Sequence, residues 1–135
     1  MTNLLEKDII GTIGTQKYLC AISWRNGELL MDEPVSNDGK DLGPDPYSTL
    51  LAALAGCTLA TLRMYIDRKE WSISEITIAL NLSQETKVEL ETTISRTLTF
   101  SSEISEEQKE RLLLIAEKCP VSKILKNKII INTKL

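Results

Sequence analysis

Apolar and polar positions alternate through the first third of the chain. Between Gln16 and Trp24, Tyr18, Cys20, Ile22 and Trp24 alternate with Lys17, Leu19, Ala21 and Ser23, the two-residue period of a strand. Asn26-Gly27 follows, a strong short hairpin signal, and the chain returns through Glu28 to Met31. Residues 8–15 supply an earlier strand. Asp32 to Pro46 holds three prolines, two glycines and Asn37-Asp38-Gly39, the chemistry of an irregular loop.

The period then changes to that of a helix, expected from about Pro46 to Lys69. Asp45 suits its N-cap and Pro46 its first position. Leu50, Leu54, Cys57, Thr61, Met64 and Tyr65 recur at helical spacing. Ala52, Gly56 and Ala60 form a second line with almost no side chain. Gly56 costs about 1 kcal/mol of helix propensity, which a closely approaching element could offset, so a central, largely buried helix is expected. Two alternating strands follow. Ile76, Ile78, Leu80 and Leu82 share one face, and after a turn near Ser83-Gln84-Glu85 the residues Val88, Leu90, Ile94, Leu98 and Phe100 repeat the pattern. Ser105-Glu106-Glu107-Gln108 fits a capping box opening a helix to about Lys118. Pro120 ends it and begins a short helix at 120–126. A last strand is expected around Ile129-Ile130-Ile131. The order βββ–α–ββ–α–α–β describes an α+β fold with helices packed on antiparallel sheet, in one domain over residues 1–135.

Composition narrows the chemistry. The chain has 135 residues, 42% of them hydrophobic, and a net charge of −3. No basic block stands out, so no nucleic-acid partner is expected. The start MTNLLEKDII lacks a charged segment leading into an apolar one, and the apolar run Leu50–Leu62 is short for a bilayer. A cytoplasmic protein with no membrane partner is expected. There is no histidine. That removes Ser-His-Asp and Cys-His catalysis and every imidazole metal site, and three scattered cysteines do not build a Cys₄ zinc site, so no metal is expected.

The chemistry left is thiol chemistry. Cys57 lies mid-helix in LLAALAGCTLATL, far from the helix N-terminus, and its local pattern fits a small buried hydrophobe as well as a reactive group. Cys119 precedes Pro120, where a thiolate at the N-cap of the short helix would feel its positive end, with Lys118 and Lys123 near in sequence. A cysteine closing a helix corner fits equally. Cys20 shares a strand face with Tyr18, Ile22 and Trp24 and reads as core packing. Arg25 and Glu28 flank the Asn-Gly turn as an expected cross-strand ion pair.

At this point the motifs become specific. GPDPYSTLLAALAGCTLATLRMY, residues 43–65, resembles the central helix of the OsmC/Ohr family, in which a GxxP segment opens a long helix carrying the reactive cysteine. CPVSKIL, residues 119–125, resembles its second cysteine motif, 62 residues on. Asp32-Glu33-Pro34 and GPDPY resemble an OsmC-like branch. The resemblance implies antiparallel sheets wrapped around long central helices in an intertwined homodimer, with apolar sites at the interface. It implies that Cys57 is the peroxidatic thiol and Cys119 the resolving one. Cys57 would attack an organic hydroperoxide, pass through a sulfenic acid, form a disulfide with Cys119 and be restored by an external dithiol, with no cofactor. The family's hydroperoxidases carry an activating arginine upstream of the helix and a glutamate at its start. Here those segments read Asp32-Glu33 and Pro46-Tyr47-Ser48. A thiol redox sensor, or a protein binding a small apolar ligand at the same pocket, is the alternative. Arg63, about 240° around the helix from Cys57, reads as structural.

Overall fold

The computed structural model describes residues 2–135, which form two compact units divided at Leu50–Leu51. In the first, β1 (Ile10–Ile13), β2 (Cys20–Trp24) and β3 (Gly27–Met31) make an antiparallel meander in that order. Trp24 pairs with Gly27, so Arg25 and Asn26 are the turn and Gly27 already belongs to the strand. The reason Gly27 must be glycine is steric: a Cβ there would stand 2.5 Å from the Trp24 ring. Arg25 and Glu28 form no ion pair among the described residues, since both point into solvent.

The loop after β3 is held by Asp32, whose side chain is buried. Its carboxylate accepts the backbone N–H groups of Glu33 (2.8 Å), Lys40 (3.2 Å) and Leu42 (3.3 Å). Burial alone raises its pKa, but these donors outweigh burial and hold the carboxyl below its ordinary value. Asp32 therefore organises the loop as a local hub. Asp45 caps the next helix as expected. Its carboxylate accepts the Ser48 hydroxyl and, at 3.5 Å, the Ser48 N–H, and the Ser48 hydroxyl is the main cause of its lowered pKa.

That helix, α1, runs Pro46–Arg68. It ends where Glu70 turns left-handed (φ 57°) and Trp71 N–H donates back to Ile66 O at 3.1 Å, a Schellman closure without its usual glycine. By length and composition α1 is apolar enough to cross a bilayer, more so than the run Leu50–Leu62 suggested. One stripe of it is buried in this chain and the rest of its surface is open. Leu54, Thr58, Leu62, Tyr65 and Ile66 are its buried stripe.

In the second unit, β4 (Ile76–Thr86) and β5 (Leu90–Phe100) form one long hairpin. The expected turn at Ser83–Glu85 is instead strand, and the reversal falls at Lys87–Glu89, between the paired Thr86 and Leu90. Polar residues there signal solvent rather than a bend, and Lys87 bridges Glu85 (2.9 Å) and Glu91 (3.7 Å) beside the reversal. The hairpin's apolar face meets α1 and α2 (Glu106–Ala116) in a core of Leu62, Tyr65, Ile66, Ile73, Leu112 and Ile115, with Ile76, Leu98 and Phe100 against it. The capping box forms as expected: Ser105 Oγ accepts from Gln108 N–H (3.1 Å), and Gln108 Oε1 accepts from Ser105 N–H (3.0 Å). Arg63 is structural, donating to Ile73 O (2.8 Å) and Ser74 O (2.9 Å).

Two expectations are corrected. Residues 128–135 carry no strand, because none of the described residues pairs with Ile129–Ile131, which are exposed. The small-residue line of α1 is open rather than buried: Ala52, Gly56 and Ala60 are exposed, and a Cβ on Gly56 would meet nothing within 4 Å. The buried stripe lies about 100° from the one read in the sequence, one residue around the helix, so Met64 is 71% exposed while Thr58 and Leu62 are sealed.

Candidate functional site

Cys57 and Cys119 come together, although 62 residues separate them. α1 presents Cys57 beside its buried stripe, where it is half-buried. The other thiol is placed by the end of α2. Glu117 and Lys118 make the last turn, and Pro120 cannot continue the helix. Pro120 instead starts α3 (Pro120–Lys126) at its first position, leaving Cys119 as the N-cap residue with extended backbone (φ −54°, ψ 128°). Cys119 is fully buried.

The start of α3 serves both sulfurs. Val121 N–H donates to Cys57 Sγ at 3.5 Å, and Ser122 N–H faces Cys119. The two sulfurs lie close enough for each to shift the other's acidity. Their acidities separate. Burial raises the Cys57 pKa, and the neighbouring Cys119 sulfur raises it further, against the smaller help of Val121 N–H. Burial also works against a Cys119 thiolate, but the Cys57 thiol, the Ser122 N–H and the hydroxyls of Thr58 and Ser122 outweigh it and lower the Cys119 pKa. The surroundings thus disfavour a thiolate on Cys57 and favour one on Cys119.

The nearby cation is neither Lys118 nor Lys123, which are exposed. It is Arg96, on β5. Arg96 Nη1 donates to Thr58 Oγ1 and to Ser122 Oγ, both at 2.8 Å, and Nη2 lies 3.3 Å from Glu117 Oε1. Its side chain is 14% exposed. Glu117 also binds Lys126 at the end of α3. A cavity of about 400 Å³ opens on this cluster, lined by Leu54, Ile94, Arg96, Ser122 and Leu125 among others. The sequence held a signal for Arg96. Ile94, Leu98 and Phe100 face inward at every second position, and Arg96 occupies the inward slot between them, opposite Leu80. A charge at an apolar register position needs buried partners.

Cys20 stays with the first unit's sheet. Its thiol donates to Tyr18 O at 3.6 Å, and with Ile13, Ile22 and Met31 it lines a cavity of about 450 Å³. Among the described residues no cluster of Cys, Asp and Glu could hold a metal ion.

Known proteins supply the wider setting. The family model described as OsmC-like protein matches residues 38–134. No curated protein matches. Solved structures do. A Psychrobacter arcticus protein, provisionally described as an osmotic stress induced and detoxification response protein, is 20% identical, with 92% of this chain and 91% of that one covered at a TM-score of 0.76. An OsmC-like protein from Mycoplasma pneumoniae is 22% identical, with 90% and 89% covered at 0.68. The organic hydroperoxide resistance protein OhrB of Bacillus subtilis is 17% identical, with 92% and 93% covered at 0.67. These likenesses carry the fold, mixed helix and antiparallel sheet. With the family match across most of its length and both cysteine motifs inside the matched region, the chain belongs to the OsmC-like protein family.

Proposed function

We propose that this chain is a cytoplasmic thiol peroxidase that reduces organic hydroperoxides, with Cys57 as the peroxidatic and Cys119 as the resolving thiol. The observation that carries the reading is the meeting of Cys57 and Cys119 at the start of α3, where Val121, two residues after Cys119, donates its N–H to Cys57 Sγ at 3.5 Å. The resolving role requires the two Cα atoms to come within about 4.4–6.8 Å, and Cys57 is the less buried of the two. Membership of a family that includes an organic hydroperoxide resistance protein adds to it. The apolar walls Leu54, Ile94 and Leu125 of the neighbouring cavity suit an apolar substrate.

The pair needs one proton moved before reaction. Cys57 gives its proton to solvent and becomes the nucleophile. The Cys57 thiolate attacks the distal peroxide oxygen, the O–O bond breaks, and the alkoxide leaves as alcohol with a proton from solvent. Cys57 is then a sulfenic acid. Cys119 attacks the Cys57 sulfur, the S–S bond forms, and hydroxide leaves as water with the Cys119 proton. The hydroperoxide has gained two electrons and the dithiol has lost two. An external dithiol returns them by exchange. The two units would act as one OsmC-like domain, and the exposed Ala52/Gly56/Ala60 face of α1 would pack on a second copy in a homodimer.

One observation favours a second reading. The accessible thiol is the less acidic one, which suits a thiol redox sensor, or a holder of a small apolar ligand, better than rapid turnover. Consumption of cumene hydroperoxide under a dithiol reductant separates the two. Turnover by wild type that disappears in Cys57→Ser, and becomes reductant-trapped sulfenic acid in Cys119→Ser, is expected. No consumption by wild type, with the reductant active on a control peroxidase, overturns the peroxidase reading and leaves the sensor or carrier.

A further inference from the structure

We propose that Arg96 is a positioning residue that clamps the first turn of α3 onto α1, and so holds the Cys57 sulfur against the Val121 N–H and beside Cys119. The inference deepens the thiol reading above and rests on it.

α3 has little of its own to hold it in place. It has seven residues, and an isolated helix needs about 12–15 to be more than marginal. Apolar packing adds little, since Ile124 is 50% exposed and Ser122 is the one buried residue of α3. That residue is polar, and Arg96 Nη1 donates to its Oγ at 2.8 Å. The same Nη1 donates to Thr58 Oγ1, also at 2.8 Å. Such a nitrogen carries two protons, one for each hydroxyl. Thr58 is free to accept, because its own proton goes to the Leu54 carbonyl at 2.8 Å.

The two hydroxyls sit beside the two groups that meet at the site. Thr58 follows Cys57 on α1, and Ser122 follows Val121 on α3. Arg96 thus joins the immediate neighbours of the partners in the Val121 N–H···Sγ bond of 3.5 Å. Val121 lies in the first turn of α3, where an N–H has no acceptor within its own helix. A thiol sulfur is a weak acceptor, so this bond cannot hold the helix and depends on the clamp. Cys119 follows the same turn, because Lys123 N–H donates to Cys119 O at 3.1 Å.

The clamp stands on a firm base. Arg96 lies in the long β4–β5 hairpin opposite Leu80, with its side chain 14% exposed. Its Nη2 lies 3.3 Å from Glu117 at the end of α2, and Glu117 binds Lys126 at the far end of α3. Thr58 is fully buried and Ser122 is 3% exposed, so water competes little for these charge-assisted bonds. A planar guanidinium also fixes the directions of its donors, which an ammonium does not.

The test uses the full chain carrying Cys20→Ser, and Arg96→Met in that background, which removes the donors and keeps an unbranched stem. Amide hydrogen exchange is read by NMR on the reduced proteins. In Arg96→Met the Val121 amide is expected to lose protection roughly tenfold, while the core amides of Leu62 and Ile66 keep theirs. Arg96→Lys keeps the charge without the fork and should recover part of the loss. The same proteins are then equilibrated with oxidised and reduced dithiothreitol. There the Cys57–Cys119 S–S bond forms, the reagent's S–S bond breaks, and two electrons and two protons pass to the reagent. Arg96→Met should lower this equilibrium constant about tenfold, a potential about 30 mV less negative. Unchanged Val121 protection, equal loss at all amides, or an unchanged potential in a folded Arg96→Met protein overturns the proposal. Should Arg96→Met not fold, Thr58→Val and Ser122→Ala take its place, and unchanged Val121 protection in both overturns it. A parent protein that forms no Cys57–Cys119 disulfide defeats the resolving role of Cys119. Selective loss at Val121 in Arg96→Met would then still support the positioning of Cys57 by Arg96, and its absence would overturn that too.

Discussion

Cys57 and Cys119 are the same residue type in one cluster, yet their surroundings pull their acidities apart. Burial and the neighbouring Cys119 hold the Cys57 pKa up, whereas the polar surroundings of Cys119 pull its pKa down. A sign follows for the single variant Cys119→Ser. It removes the charge that disfavours a Cys57 thiolate and replaces it with a hydroxyl able to donate. Cys57 should then deprotonate at lower pH and, with Cys20→Ser to remove the third thiol, react severalfold faster with iodoacetamide at neutral pH than Cys57 of the parent. A slower reaction would show that Cys119 does not hold the Cys57 pKa up. At this scale the sequence was half legible. The two cysteines were found because their flanking residues are distinctive. Thr58 and Ser122 were not, because a threonine in an apolar helix and a serine in a short one are unremarkable until an arginine from a strand reaches both.

Elements were the most legible scale, because their signals are local. The N-cap of α1 at Asp45, the capping box of α2 and Pro120 opening α3 all act within about four residues of chain. The C-terminus of α1 is different. Its closure puts Glu70 at φ 57°, a region that costs an L-residue with a Cβ about 1 kcal/mol or more. Glu70→Gly should accordingly raise stability by about 1 kcal/mol in urea unfolding, an unusual sign for a helix-end substitution to glycine. Equal or lower stability would mean that the closure does not persist in solution. The misplaced hairpin turn has the same kind of cause in reverse. Ser83-Gln84-Glu85 is polar because the far end of β4 is exposed, and polarity alone does not distinguish a wet strand from a bend.

On the scale of the whole molecule, the proposal of a homodimer bears on the open face of α1. Ala52, Gly56 and Ala60 are exposed, with no atom within 4 Å of a Cβ on Gly56. Within one chain a larger side chain there clashes with nothing. Gly56→Leu should therefore fold and, having removed the helix-propensity cost of glycine, lose no monomer stability. Between two copies packed helix on helix it would hold the backbones apart. Light scattering should find the wild type as a dimer and Gly56→Leu shifted toward monomer. A wild type that is monomeric at all concentrations would remove the dimer from the proposed function.

The sequence by itself determined the α+β class, the positions of α1, α2 and α3, the three strands of the meander and the distinctive motifs around Cys57 and Cys119. It did so because periodicity, capping and the absence of histidine are properties of neighbouring residues or of composition. Only the tertiary structure decided that the buried stripe of α1 passes through Thr58 and Leu62, that Ile129–Ile131 has no strand to pair with among the described residues, and that Cys119 rather than Cys57 is the easier thiolate. Those outcomes depend on which groups are brought within a few ångströms across dozens of residues. An arginine on a strand meets a threonine on one helix and a serine on another, and no spacing along the chain encodes that meeting.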